Sequence, residues 1–166
     1  MPLIRLESNP TTEAIRLCWE RILSDPQRTD QLSDTDFQSA DDFLLCSGAT
    51  IVPCIVYMEH DPAALLWLHN LTLLPPTMRP MSAQLGCYVL PYWREVDISQ
   101  ACAAVLQQGL RGYGLQHLWA FVKRESAAQI NALGACGFAY EATLPVWQRH
   151  EGVWYPYHVY HLGLGE

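Results

Sequence analysis

The sequence predicts one α/β domain over residues 1–166, with a mixed, mostly antiparallel central sheet and helices on both faces. Extended and helical hydrophobic periods alternate along the chain in the order β-α-α-β-β-β-α-β-α-β-β. A helix-length segment separates two apolar runs at 84–90 and 117–122. Such a pair is typical of parallel neighbouring strands joined by a crossover. The last two strands form a closing hairpin, which supplies the antiparallel part of the sheet.

The first half of the chain predicts a strand at Leu3–Leu6 and a helix whose N-cap is Asn9, followed by Pro10. That helix has apolar residues at helical spacing, namely Ile15, Cys18, Trp19 and Ile22. The next elements are a helix from about Asp34 and strands at Thr50–Glu59 and Ala64–Leu73. Pro53 marks the first of these strands as an edge or bulged strand.

The second half predicts a strand, a helix, a strand, a helix and the hairpin: Gln84–Leu90, Ser99–Leu110, His117–Val122, Ser126–Cys136 closed by Gly137, and Phe138–Arg149 with Val153–Leu162. Each element has one apolar face, and these faces predict the core. Its expected members are Ile15, Trp19, Val105, Leu106, Trp119, Phe121, Ile130 and Phe138.

Composition narrows the classes of function. Half of the 166 residues are hydrophobic and only 16% are charged, so a folded domain is expected. The net charge of −7 argues against nucleic-acid binding. The six cysteines include no C-x-x-C pair, so neither a metal site nor a disulfide framework is indicated. Without a signal-peptide pattern or a bilayer-length apolar run, the expected location is cytoplasmic, with no membrane partner.

Two segments resemble the GCN5-related N-acetyltransferase family. CYVLPYWREVDISQA, from Cys87, has the frame of a strand followed by the family's glycine-rich turn, YWGKGYATEA, and a helix. QHLWAFVKRESAAQINALGACGF, from Gln116, has the frame of HRIEARV followed by NTASIRVLEKLGF. The second pattern is most similar to the branch that acetylates ribosomal-protein N-termini. The resemblance implies that strands 85–90 and 117–122 splay apart into a V-shaped cleft.

The resemblance also implies acetyl-CoA as cofactor. In the family, the strand main chain holds the pantetheine arm, and the turn amides bind the pyrophosphate. The corresponding cofactor-binding positions of this chain are Tyr88, Leu90, Arg94, Val96, Ile98, Ser99, Ser126 and Gln129. The acceptor is expected to be an amine, on a small molecule or at a protein N-terminus.

Departures from the family pattern fall on the turn. Arg94 and Val96 stand where the family has glycines, and their side chains obstruct the approach of a phosphate to the backbone. Asp97 followed by Gln100 predicts a capping box, in which the Asp97 carboxylate binds amides that a phosphate needs. The alternative for Arg94 is direct contact between its guanidinium and a phosphate.

Direct attack of an amine on a thioester needs a base, and the candidate catalytic residues are Glu59 and His69. His69 interrupts an apolar strand that faces the expected acceptor groove. The competing interpretations are a half-buried histidine bonded to backbone and, for Glu59, a solvated turn residue. Tyr155, Tyr157 and Tyr160 are candidate acids or packing aromatics, and Cys87 is interpreted as a buried structural thiol.

Two functions are consistent with these residues. The first is an acetyl-CoA-dependent N-acyltransferase that transfers an acyl group to a primary amine. The second is a non-catalytic protein of the same fold that serves in partner binding or self-assembly, including homo-oligomers. The turn at 94–98 discriminates between them, because an open amide nest favours the enzyme and a self-capped turn favours the binding protein.

Overall fold

The computed structural model describes residues 3–74, 79–94 and 99–164, apart from the side chains of 72–74, 79–81, 99–102, 104 and 105. Its strands are β1 Ile4–Glu7, β2 Val52–Met58, β3 Asp61–Leu74, β4 Arg79–Val89, β5 His117–Lys123, β6 Ala139–His150 and β7 Val153–Gly163. Its helices are α1 Thr12–Leu23, α2 Arg28–Gln31, α3 Ala40–Cys46, α4 Ser99–Arg111 and α5 Ala127–Ala135, and a 3₁₀ turn spans Pro91–Trp93.

The seven described strands form one sheet in the order β1-β2-β3-β4-β5-β7-β6. Every neighbouring pair is antiparallel except β4 and β5, which are parallel. The α4 crossover joins these two strands, as the two apolar runs predict. The predicted α/β class and the mixed, mostly antiparallel sheet are therefore confirmed.

Helices cover both faces of the sheet and define two hydrophobic cores. One core lies under α1 and α3 and contains Trp19, Phe43 and Trp67. The other lies under α4 and α5 and contains Leu106, Leu118 and Leu133. Among the described residues, no helix has both the length and the apolar character needed to span a membrane.

Two helix starts differ from the sequence-based expectation. Thr11, rather than Asn9, caps α1, because its hydroxyl oxygen accepts a hydrogen bond from the Ala14 N–H at 3.2 Å. The helix expected from about Asp34 begins at Ala40, with Ser39 as the N-cap that accepts from the Asp42 N–H. Residues 32–38 instead form a loop after the short helix α2. Because α2 has no apolar residues at helical spacing, the sequence does not predict it.

Pro53 lies where β2 is locally an edge. The strand β1 pairs only with Ile55–Met58 of β2, so Pro53 has β3 on one side and no described strand on the other. A register shift follows between Val56 and Tyr57. The expectation of an edge or bulged strand therefore holds at this end of β2.

The predicted core is buried in part. Ile15, Trp19, Leu106 and Phe138 are buried, whereas Trp119, Phe121 and Ile130 are half-buried. The fully buried face of β5 carries Leu118, Ala120 and Val122. Trp119 and Phe121 lie on the other face, because side chains alternate along a strand. The side chain of Val105 lies outside the described residues.

Candidate active site

The cleft begins where β4 and β5 stop pairing. Their ladder consists of Ser82–His117, Ala83–Leu118 and Gln84–Trp119. Beyond it the two strands no longer pair with each other, although β4 stays paired with β3 up to Val89 and β5 with β7 up to Lys123. Both strands run in the same direction, so their carboxyl ends form the two arms of a V. The predicted parallel and splayed arrangement is confirmed.

A cavity of about 310 Å³ lies at the start of this V. Its walls come from the five strands β3 to β7, from α2 and the loop after it, and from α5, with Trp67, His69, Cys87, Phe121, Trp147 and Tyr157 among the lining side chains. The Phe121 and Trp147 rings stack with their centroids 5.8 Å apart. The cavity therefore combines aromatic side chains with several polar groups, among them Asp36 and His69, and such a concave site is a candidate for ligand binding.

Asp36 supplies the carboxyl group of this cavity. It follows α2, lines the cavity, and accepts a hydrogen bond from the Ser33 N–H at 2.7 Å. Its side chain is half-exposed, but the carboxyl lies deep in the protein, and this burial raises its pKa despite the Ser33 bond and the nearby histidines. A carboxyl with a raised pKa in a cleft accepts a proton more readily than an ordinary carboxylate, which is a property of candidate general bases.

His69 lies in the same cavity, on β3 opposite Gln84. Burial lowers its pKa, and the electrostatic effect of Asp36 opposes that change. The ring is therefore held mostly in its neutral form at neutral pH, when it can also take up a proton. Sequence analysis identified His69 as a candidate base, and the structure places it beside a carboxyl group that was not predicted.

A second layer of hydrogen bonds lies behind the cavity. Nδ1 of His150 bonds to the Thr29 carbonyl oxygen, so this nitrogen carries the proton. Nε2 then accepts from the Tyr157 hydroxyl at 2.6 Å. Burial raises the pKa of Tyr157, and the charge of Asp36 raises it further. This pair fixes the Tyr157 ring against the cavity and attaches the β6–β7 hairpin to α2.

The main chain of β4 meets two glutamine side chains inside the V. Gln31 of α2 donates from Nε2 to the Val89 carbonyl at 3.0 Å and accepts from the Val89 N–H at 2.8 Å. Gln129 of α5 donates from Nε2 to the Cys87 carbonyl at 2.7 Å and to the Gln31 carbonyl at 3.2 Å. Both side chains are buried. This edge of β4 is thus complementary to a carboxamide.

A buried ion pair lies at the far end of β4. The Arg94 guanidinium bonds to the Asp25 carboxylate, and the Tyr88 hydroxyl donates to the same carboxylate. Arg94 also donates from Nε to the Val89 carbonyl at 3.1 Å. Burial opposes ionisation of Asp25, but the hydrogen bonds from Arg94, Tyr88 and the Gln27 N–H lower its pKa overall. Arg94 therefore joins the end of α1 to β4.

The structure separates the two predicted catalytic residues. Glu59 lies in the exposed turn between β2 and β3, with φ 57°, and does not line the cavity. His69 is eight residues beyond the start of β3 at Asp61, roughly 27 Å along an extended strand. Burial raises the pKa of Cys87 to about 12, in keeping with a structural thiol.

Apart from Arg94, which is paired with Asp25, the predicted cofactor positions divide into three groups. Tyr88 and Leu90 are buried, with Leu90 N–H donating to the Ala63 carbonyl. Ser126 and Gln129 lie at the start of α5, next to β4. The Ser126 hydroxyl is buried and finds no hydrogen-bond partner within the described residues. Val96, Ile98 and the Ser99 side chain lie outside the described residues, as does the predicted Asp97 cap.

These observations test whether acetyl-CoA suits the site. The β4 edge at Cys87 and Val89 already binds carboxamides, the group that a pantetheine arm presents. The orphaned Ser126 hydroxyl adds an unused donor at the end of α5 that meets β4. The donors and acceptors therefore fit the pantetheine arm once the Gln31 side chain has left Val89.

Sequence reasoning missed Gln31, Asp36 and the pairing of Asp25 with Arg94. All four residues stand in polar or turn-like stretches without a hydrophobic period, where a single sequence favours solvated side chains. One signal was available for Arg94. The resemblance marks Arg94 as an arginine at a family glycine position, and its partner Asp25 directly follows Ser24, the C-cap of α1.

Comparison with known proteins places the fold. No family model and no curated protein matches the sequence. Solved structures do match. RimJ of Mycobacterium smegmatis in complex with CoA-disulfide has a TM-score of 0.72 at 18% identity, with 98% of this chain and 86% of that chain covered. The ribosomal-protein-S5-alanine acetyltransferase of Vibrio fischeri has a TM-score of 0.72 at 9% identity, with 100% and 98% covered.

A third match is YncA, a putative acetyltransferase of Salmonella typhimurium with its cofactor acetyl-CoA. Its TM-score is 0.71 at 15% identity, over 98% of this chain and 95% of that chain. The chain has the GCN5-related N-acetyltransferase fold. Within that fold, ribosomal-protein acetyltransferases are among the structures that it is similar to.

Proposed function

We propose that this chain is an acyl-CoA-dependent N-acyltransferase that acts on a primary amine. The observation that carries the proposal is the Asp36 carboxyl, with its raised pKa, inside the cavity at the opening of the V. Fold alone does not decide function, but a buried base in the cleft of this fold meets the chemical need of amine acylation. The similar structures that are named as acetyltransferases, two of them for ribosomal proteins, support the same assignment.

Asp36 has the role of general base. An amine in water carries a proton that must leave before its nitrogen lone pair can attack. The Asp36 carboxylate takes this proton, and the Trp67, Phe121 and Trp147 rings line the path of the ammonium group. His69, held mostly neutral, accepts a hydrogen bond or passes the proton to solvent. Acetyl-CoA, when bound, supplies the activated acyl group.

Residues of β4 and α5 are the ones that hold the cofactor. The Cys87 and Val89 main chain offers donors and acceptors to an extended amide-bearing arm, and Ser126 and Gln129 face it from α5. The acceptor amine belongs to a small molecule or to a protein N-terminus. The cavity volume of about 310 Å³ accommodates a single side chain or a small amine, not a folded partner.

A release assay for free thiol tests the proposal. Wild-type protein, acetyl-CoA and a panel of small amines and N-terminal peptides should give amine-dependent thiol release. Asp36→Asn should lower kcat by about 100-fold and leave the KM for acetyl-CoA nearly unchanged. Asp41→Asn is the matched control, because its side chain is 81% exposed and pairs with Arg16 at the surface. Equal rates for both variants would remove Asp36 from the mechanism.

The second candidate, a non-catalytic binding protein, is favoured by one observation. Gln31 and Gln129 already occupy the β4 main chain, and Arg94 is bound to Asp25 rather than to solvent. If the chain is such a binding protein, the assay with acetyl-CoA and the panel of amines and peptides gives no thiol release, and acetyl-CoA does not bind in the V.

A further inference from the structure

Gln31 forms the same pair of bonds with Val89 that a neighbouring strand would form. One carboxamide donates to the Val89 carbonyl and accepts from the Val89 N–H, so both main-chain groups of one residue are satisfied by a single side chain. Gln31 is only 6% exposed, and its own carbonyl accepts from Gln129. An extended ligand with two secondary amides can supply the same donor and acceptor, one from each amide, as a neighbouring strand does.

The helix that carries Gln31 is anchored to the other arm of the V. Asp30 lies 3.8 Å from the ammonium group of Lys123 at the end of β5, and the Lys123 side chain is 8% exposed. Asp34 accepts from the N–H groups of Glu151 and Gly152 in the β6–β7 turn. The α2 segment thus joins β4 to β5 and to the hairpin, and Gln31 has a defined position in the V.

We infer that Gln31 is an internal latch on the cofactor site, and that an acyl-CoA binds only after the Gln31 carboxamide has left Val89. The inference rests on the proposed function, since it takes the pantetheine arm as the ligand of β4. The ligand class is an extended chain bearing secondary amides. Because the free protein must first break the Gln31 bonds, its affinity for the ligand is reduced by the fraction of molecules in which they are broken.

Calorimetric titration with CoA, which carries no acyl group, tests the latch. Gln31→Met keeps the side-chain length and removes both bonds, and it should bind CoA about ten-fold tighter than wild type. Gln108→Met is the matched control, because Gln108 is an exposed glutamine of α4. Its affinity should equal that of wild type. Equal affinity of Gln31→Met and wild type, tightening in the control as well, or no binding by any of the three would overturn the inference.

A second measurement uses NMR on the wild-type protein, with the Gln31→Met variant serving only to assign the resonances. The side-chain NH₂ resonances of Gln31 should be protected from exchange with solvent in the free protein, and the Gln31→Met spectrum assigns them. Saturation with CoA should shift them and remove the protection. CoA binding that leaves them protected would show that the ligand does not use Val89. Failure of the proposed function is distinguishable, because CoA would then displace Gln31 while no amine is acetylated.

Discussion

At the scale of single residues, Asp36 is both the proposed general base and a residue whose burial lowers the stability of the folded protein. The folded protein holds its pKa above the unfolded value near 3.9, so the folded state binds the proton more tightly. Stability therefore falls as the pH rises through the interval between those two values. If Asp36 is the base that we propose, its readiness to accept a proton is obtained at the expense of stability.

Asp36→Asn should therefore raise the stability of the protein at neutral pH. The asparagine oxygen still accepts the Ser33 N–H bond, and the buried charge is gone, so we expect a gain of roughly 1 kcal/mol, a few degrees in Tm. The gain should vanish below the ordinary aspartate pKa, where the wild-type carboxyl is protonated in both states. Thermal melts at pH 7 and pH 3 measure both effects. A loss of stability at pH 7 would contradict the assigned pKa direction.

The same residue determines the acidic side of the pH–rate profile. Because protonated Asp36 cannot accept a proton, kcat/KM should rise with pH through its raised pKa and then level off. In Asp36→Asn the residual rate should lose this dependence. Initial rates at fixed acetyl-CoA over pH 4.5–8 provide the measurement. A variant that keeps the wild-type profile would assign the titration to another group, with His69 the first to examine.

Asp25 and Arg94 form a buried ion pair that stabilises the folded protein. Removal of one partner leaves the other buried without compensation, so Asp25→Asn should lower the free energy of unfolding by about 3 kcal/mol. The Asp25 pKa is lowered in the folded protein, so the pair stabilises it above the ordinary carboxyl pKa and this contribution is lost as the pH falls. Denaturant unfolding at pH 7 and pH 3.5 should show a deficit that shrinks at the lower pH. An unchanged deficit would argue against an ionised pair.

At the scale of elements, β3 and β4 approach closely at Gly86. A Cβ at this position would lie 2.0 Å from the Trp67 ring, which is itself buried and lines the cavity. Gly86→Ala therefore forces the Trp67 ring to move, and we expect a loss of about 2 kcal/mol. Gly134→Ala is the control in α5, because nothing lies within 4 Å of its Cβ position. It should stabilise by up to about 1 kcal/mol. Denaturant titration compares the two variants.

The elements also show what one sequence can predict. The strands and the long helices follow from hydrophobic period, and the parallel neighbours β4 and β5 follow from two apolar runs around a helix. The helix α2 and the loop after it have no such period. Their positions depend on contacts with distant residues, such as Gln31 with Val89 and Asp34 with Gly152. The cavity takes Gln31 and Asp36 from this segment, so a single sequence does not predict that these two polar side chains belong to the site.

His69 was predicted because a histidine in an apolar strand is conspicuous, and the structure places it in the cavity. Glu59 is a candidate base that flanks a turn, with a solvated turn residue as the competing interpretation, and the structure places it in an exposed turn outside the cavity. The two residues differ because Glu59 lies in the turn before β3, whereas His69 lies well within that strand, opposite Gln84. The sequence indicates where a strand lies in the chain. Which of its residues lie near the opening of the V depends on its register with the neighbouring strand.

At the scale of the whole molecule, the splayed sheet brings a base, aromatic walls and an amide-binding strand edge into one cleft. The three paired residues of β4 and β5 hold the V closed at one end, and α2 with α5 fills the other. This arrangement is the basis on which amine acylation is proposed for the chain. In that proposal, the same packing weakens the binding of acyl-CoA as long as Gln31 is bound to Val89.

Calorimetric titration of the wild-type protein with acetyl-CoA tests the central claim most directly. The account predicts saturable binding of one molecule per chain, weaker than in Gln31→Met by about ten-fold. Binding heats that fit one site in both the wild-type protein and Gln31→Met would support a cofactor held along β4. The absence of binding at millimolar acetyl-CoA in both proteins would contradict the account and favour the non-catalytic alternative.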